Sequence, residues 1–206
     1  MIEVELWDWR QTVTNLYFQI RQLENPEAAW RMWCDTRRAL FRSHPQSPIE
    51  PDTKDTYLGP AVFPYDPTLR LTVGLTTPRE ERFAVATGDD GQISLHAFAR
   101  TNGLADKVGS ELTLYWIEGY GGGVFLPFAD ATSGTETYGG GRYLLDTIKG
   151  ADLGSIRPDH TMVLDFNFAY FPSCAYSARY VCPLAPSGNR LKGAVRAGER
   201  IPATSR

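Results

Sequence analysis

The stretch "SHPQSPIEPD", residues 43–52, splits the chain into two different patterns. It places three prolines within seven residues, and proline lacks a backbone N–H and disfavours helical backbone in the residue before it. No helix is therefore expected to cross it. Ahead of the break, Leu6, Trp9, Val13, Leu16, Tyr17 and Ile20 recur at three- and four-residue steps, which predicts a helix over residues 4–23 with one buried face. Asn25-Pro26-Glu27 then supplies a cap, a first-position proline and an early acid. A second helix is expected to run to about residue 42, with Trp30, Trp33, Cys34, Arg37 and Phe41 at helical spacing and Cys34 packed as a small apolar residue.

Beyond residue 55 the period becomes that of strands. The runs "YLGPAVFP", "LRLTVGLTT", "RFAVAT", "QISLHAFA", "ELTLYWIE", "VFLPFAD", "RYLLDT", "TMVLDF" and "LKGAVRAG" are short and apolar or alternating. "GDDG" reads as a hairpin turn, with Phe83 and Val85 on one arm and Ile93, Leu95 and Ala97 on the other forming one aliphatic stripe from which His96 faces away. These runs predict an α+β fold: two N-terminal helices packed on an antiparallel β-barrel or barrel-like sandwich. No repeat or linker divides it, so residues 1–206 form one domain, with a helical part over 1–45 and a β-rich part over 55–198.

Charge narrows the partners. The net charge of -3, from 24 acids and 21 bases spread along the chain, predicts no nucleic-acid or membrane-surface partner and leaves a small molecule or another protein. Only the tail after Arg190 is locally basic, and it is expected to be a solvated terminus. The acids near the start and the lack of an apolar run of about eighteen residues point to a cytoplasmic protein. In a reducing compartment a permanent disulfide is uncommon.

Chemistry is expected in two places. "DATSGTETYGGGRY" combines hydroxyls, soft glycines, Tyr138 and Arg142, a makeup that can bring a guanidinium to a ligand; its glycines read chiefly as turns, since no helix or Lys-Ser/Thr pair follows them. The second place is residues 166–190, "FNFAYFPSCAYSARYVCPLAPSGNR", an aromatic and proline-rich segment holding Cys174 and Cys182.

The blocks "ALFRSHPQSPI", "GPAVFPYDPTLRL", "LPFADATSGTETYGGGRYL", "LDFNFAYFPSCAYSARYVCPLAPSGNRL" and "AVRAGE", in that order, resemble a bacterial family known as domain of unknown function 1684. The resemblance spans about residues 40–200 and is most specific in the cysteine segment. Similar members carry blocks of the form "DxTSGxxTYGxGRYL" and "DFNxAYNPxCAYxxxYxCPxPPxENRL". This chain departs at Phe171, where asparagine is frequent, and at Ser187-Gly188, which replaces a pair ending in glutamate ahead of Asn189. The family implies no reaction, so function must be argued from side chains.

Three readings of the cysteine segment stay open. A metal site would need more than two thiolates with seven residues between them plus a remote histidine, and no metal is expected. A nucleophilic site would use Cys174 as thiolate, His44 as base and Asp165 or Asn167 as orienting group. On the packing reading, the loop closes one end of the barrel with its aromatic rings. Under the second or third reading, Arg142, Asn167, Tyr138, Tyr170, Tyr176 and Asn189 would line a small-molecule pocket, suited to an anionic or carbonyl-containing compound. The contrasting function is a non-catalytic interaction domain. Nothing in the residues indicates a flavin, a haem or an oligomeric state.

Overall fold

In a computed structural model, residues 1–88, 91–154 and 159–202 are described. Helix α1 covers Ile2–Gln22 and α2 covers Pro26–Ser43, where the Asn25 side chain accepts the N–H groups of Glu27 and Ala28 at 3.0 Å each. The proline segment ends α2 as expected and leads through a short helix, α3 (Pro51–Lys54), to the strands. Among the described residues, no helix is long and apolar enough to cross a membrane.

Seven antiparallel strands form a half-barrel sheet, which with the helices makes an α+β architecture: β1 (Arg70–Thr76), β2 (Arg82–Ala86), β3 (Gln92–Asn102), β4 (Thr113–Ile117), β5 (Gly123–Phe128), β6 (Arg142–Asp146) and β7 (Thr161–Asp165). Their order is β6-β5-β4-β3-β1-β7, with β2 paired to the first half of β3. Phe83 opposes Leu95 and Val85 opposes Ile93, the predicted stripe; Asp89 and Asp90 of the turn lie outside the described residues. A bulge between Ala97 and Ala99 shifts the register of β3 against β4.

Strands β4 to β6 are covered on both faces. Leu114, Leu126 and Leu144 belong to the main core with Val73, Leu164 and Phe166, whereas Tyr115, Phe125 and Tyr143 form a second cluster with Leu95 on which Tyr170 packs. A third cluster joins the helices to the loop after β7: Leu16, Tyr17, Ile20, Ala29 and Trp33 meet Phe168 and Ala151. That arrangement brings the cysteine loop between the sheet and α2.

Two of the expected strands do not form. In "YLGPAVFP" only Val62 bridges, to Glu199. "LKGAVRAG" joins no ladder: Leu191 and Gly193 make single backbone bonds to Ala129, Val108 and Ala131, and beyond them the segment turns to a side chain. Arg142 donates to the carbonyls of Val195 (2.8 Å), Ala197 and Glu199 (3.3 Å), and Asp130 accepts the Val195 N–H at 3.2 Å. One guanidinium thus serves three carbonyls, two of them on either side of Gly198. The expected solvated tail is accordingly wrong up to Arg200: Leu191, Val195, Ala197 and Glu199 are buried, while residues 203–206 lie outside the described set. Gly198 allows the crossing, since at its φ of +72° a Cβ would stand 2.3 Å from the Ala169 carbonyl oxygen.

Candidate functional site

The site is built from a buried ion pair outward. Arg37 lies on the same face of α2 as Trp33 and Phe41, and its guanidinium carbon sits 5.1, 5.0 and 5.0 Å from the rings of Trp33, Phe41 and Tyr170. Arg37 Nε and Nη2 donate to Glu199 Oε1 at 2.8 and 2.5 Å; Oε2 accepts from the Phe171 N–H at 2.6 Å and the Tyr176 hydroxyl at 2.9 Å. Glu199 is fully buried, and these four donors offset the loss of water around its two oxygens. Burial works against the charge on Arg37, and Glu199 more than offsets it, so its pKa is raised. Burial, followed by the Glu199 charge, keeps the Tyr176 hydroxyl protonated.

Above this pair, the chain leaves Phe171, turns through the 3₁₀ segment Ser173–Ala175 and returns at Cys182. Cys174 and Cys182 are unbridged thiols, both half-buried, and each is the largest influence on the other's ionisation. Tyr138 Oη lies 3.7 Å from Cys174 Sγ. The two sulfurs differ in their surroundings. Cys182 accepts the Cys174 S–H and the backbone N–H groups of Cys174 and Ser173, with Lys149 adding a favourable charge; its pKa is lowered to about 6. Cys174 is pushed up by its bond to Cys182 and by burial. The Cys174 N–H favours charge on either sulfur, and the Ser173 N–H and Lys149 favour it further on Cys182.

Cys182 borders a cleft of about 90 Å³ with Arg37, Phe41, Tyr143, Lys149, Tyr170 and Phe171. Tyr143 fixes the far end of the loop by donating its hydroxyl to the Pro183 carbonyl at 2.5 Å, and its backbone exchanges two hydrogen bonds with Tyr170 at 2.8 and 3.0 Å.

The residues expected to form a site divide into two groups. Cys174, Tyr138, Tyr170 and Tyr176 do gather around the loop. The expected relay of Cys174, His44 and Asp165 is not assembled. His44 Nε2 faces Asp8 Oδ2 at 3.2 Å and Nδ1 accepts the Gln46 N–H at 3.0 Å, so both ring nitrogens are engaged beside α1. Asp165 borders a different cleft, of about 270 Å³, where it accepts from Asn167 and stands 3.5 Å from Arg70 Nε; burial raises its pKa.

Three other candidates are committed to the frame. Arg142 pairs with Asp130, not Asp165, at 2.7 Å, and both are buried. Asn167 exchanges bonds with the Asp66 backbone, 2.8 Å each way. Asn189 accepts from the Thr113 N–H and donates to the carbonyls of Thr113 and Pro127, all at 2.8 Å, tying β4 to β5. Each amide replaces a missing backbone partner. Among the described residues, no three His, Cys, Asp or Glu side chains converge as a metal site.

Arg37, Glu199 and Lys149 were not among the site residues expected from the sequence. Arg37 was visible as a charge on the apolar face shared with Trp33 and Phe41, and Glu199 as the single acid of the basic tail.

Fold and site together define an α+β half-barrel protein with paired thiols beside an aromatic cleft. The chain belongs to the family described as protein of unknown function (DUF1684), whose model matches residues 55–200 and so covers the cysteine loop and Glu199 but neither long helix. It is also similar to the uncharacterized protein from gene locus rrnAC0354 of Haloarcula marismortui, known from a solution NMR structure. The two share 32% identity over 85% of this chain and 94% of that one, with a TM-score of 0.57. No curated protein matches.

Proposed function

We propose that this protein binds a small planar organic compound, carrying a carbonyl or anionic group, in the cleft beside Cys182. The observation that carries this reading is the lining: Arg37, Lys149, Asp146, Ser173 and Cys182 are the polar and reactive groups among Tyr143, Tyr170, Phe171 and Phe41. A few convergent polar groups in an aromatic wall are the usual composition of a small-molecule site. At about 30 Å³ per water, the cleft of about 90 Å³ holds roughly three waters. The ligand would therefore insert a ring edge or a short acyl group and leave the rest at the mouth. Because Glu199 balances Arg37, the ring stack on Arg37 supports recognition of a flat group, and Lys149, 3.5 Å from Asp146, offers an ammonium donor at the rim. Arg142, Asn167 and Asn189 contribute by holding the loop and strands that frame the cleft.

The test is an NMR titration of the reduced protein with benzoate and benzaldehyde. Shifts centred on Tyr143, Tyr170, Phe171 and Ser173 are expected. Shifts centred on the cleft bordered by Asp165, or none at millimolar probe, would refute the reading and favour the non-catalytic interaction domain.

A further inference from the structure

The cleft at Asp165 lies away from the thiols and is the roomier of the two, about 270 Å³ against about 90 Å³. It forms where the turn between α1 and α2 meets β7, the strand that ends the sheet order. Its lining is divided. Ile20, Leu23, Ala29, Leu153, Val163 and Phe168 supply an apolar wall, whereas Arg70 and Asp165 stand directly opposite each other in the β1–β7 register.

That cross-strand pair is incomplete. Asp165 is buried, and its Oδ1 accepts the Asn167 N–H at 3.1 Å and Asn167 Nδ2 at 2.8 Å. Its Oδ2 has only Arg70 Nε at 3.5 Å, beyond the length of an ordinary N–H···O bond. A carboxylate oxygen removed from water and left without a close donor is costly, so a donor entering the cleft supplies what the chain does not. Arg70 is the converse: its side chain is 41% exposed, and among the described residues its guanidinium makes no hydrogen bond. At the rim, Arg21 Nη1 is committed to the Asp152 carbonyl at 2.5 Å, and Glu24 forms no ion pair among the described residues. Two arginines and two acids thus line the cleft, a balance that favours neither a net cation nor a net anion.

We propose that this cleft binds a free α-amino acid with an aliphatic side chain, its ammonium on Asp165 Oδ2, its carboxylate on Arg70 and its side chain against Val163, Leu153 and Phe168. An α-amino acid carries both charges on one carbon, and an acid and a guanidinium held side by side by strand register present the matching pair. The ammonium gives Oδ2 the close donor it lacks, and the planar fork of Arg70 takes the ligand carboxylate through two N–H groups. Space sets the size: at about 30 Å³ per water, the cleft of about 270 Å³ corresponds to roughly nine waters, which suits a ligand of leucine's dimensions.

This site shares no lining residue with the cleft beside Cys182, so either reading can fail without the other. The test is an NMR titration of the full-length protein with leucine, alongside isocaproate, which lacks the amine, and isopentylamine, which lacks the carboxylate. Leucine at millimolar concentration is expected to shift Ile20, Leu23, Val163 and Phe168, and to bind about tenfold or more tighter than either fragment, as the loss of a charged hydrogen bond predicts. Arg70→Gln should erase the advantage of leucine over isopentylamine, and Asp165→Asn its advantage over isocaproate. If Asp165→Asn does not fold, Arg70→Gln and the wild-type series decide. No shift at this cleft with leucine, shifts centred beside Cys182, or equal affinity for leucine and either fragment overturns the proposal.

Discussion

Cys174→Ala isolates one of the interactions that make Cys182 acidic. In the wild type, Cys182 should be alkylated by iodoacetamide with a midpoint near its lowered pKa of about 6, the largest cause being the S–H donated by Cys174. A hydrogen bond to a charged acceptor contributes about 1.5–3 kcal/mol. At about 1.36 kcal/mol per pKa unit, its loss should move the midpoint up by about 1–2 units, to about 7–8, with the Ser173 and Cys174 backbone donors retaining the remainder. The midpoint and not the plateau rate is the quantity to read, because a more basic thiolate is also a better nucleophile. The measurement is the rate of carbamidomethylation of the Cys182 peptide across pH, followed by mass spectrometry on the reduced, folded protein. Cys174→Ser restores an O–H donor and should bring the midpoint most of the way back. A wild-type midpoint in the ordinary thiol range near 8.5, or a Cys174→Ala midpoint that stays put or falls, would refute the hydrogen-bond account.

Three further outcomes follow from the same contacts. Glu199→Gln leaves Arg37 without its countercharge under three aromatic rings and should lower stability by about 3 kcal/mol, read as a shift in urea midpoint at constant slope. Arg142→Lys cannot reach Asp130 and three carbonyls with one ammonium; a loss of about 3 kcal/mol is expected in the same assay, and a loss under about 1 would contradict the clamp. Cys182 is more acidic folded than unfolded, so its contribution is present above the unfolded value near 8.5 and vanishes as pH falls through about 6. Comparing the wild type with Cys182→Ser, the stability difference should therefore grow from about pH 6 to about 8.5; the raised pKa of Cys174 works in the opposite sense only at higher pH.

What the sequence determined by itself was local. Proline spacing after Ser43 stopped α2, the Asn25-Pro26 cap started it, and alternation paired Phe83 with Leu95, because caps, breakers and side-chain periods act within a few residues of themselves. It also singled out the cysteine loop and the tyrosines around it. What only the tertiary structure decided were the partners across long separations. Arg142 resembled a ligand group because nothing nearby in the chain shows Asp130 and the carbonyls of Val195 and Ala197 converging on it. Glu199 resembled part of a solvated tail because its partner, Arg37, lies 162 residues earlier. The choice of thiolate was hidden for the same kind of reason. Cys174 and Cys182 are equivalent as letters, and their difference arises only when the fold around the turn at Ser173–Ala175 adds the Ser173 N–H and the Lys149 charge at Cys182.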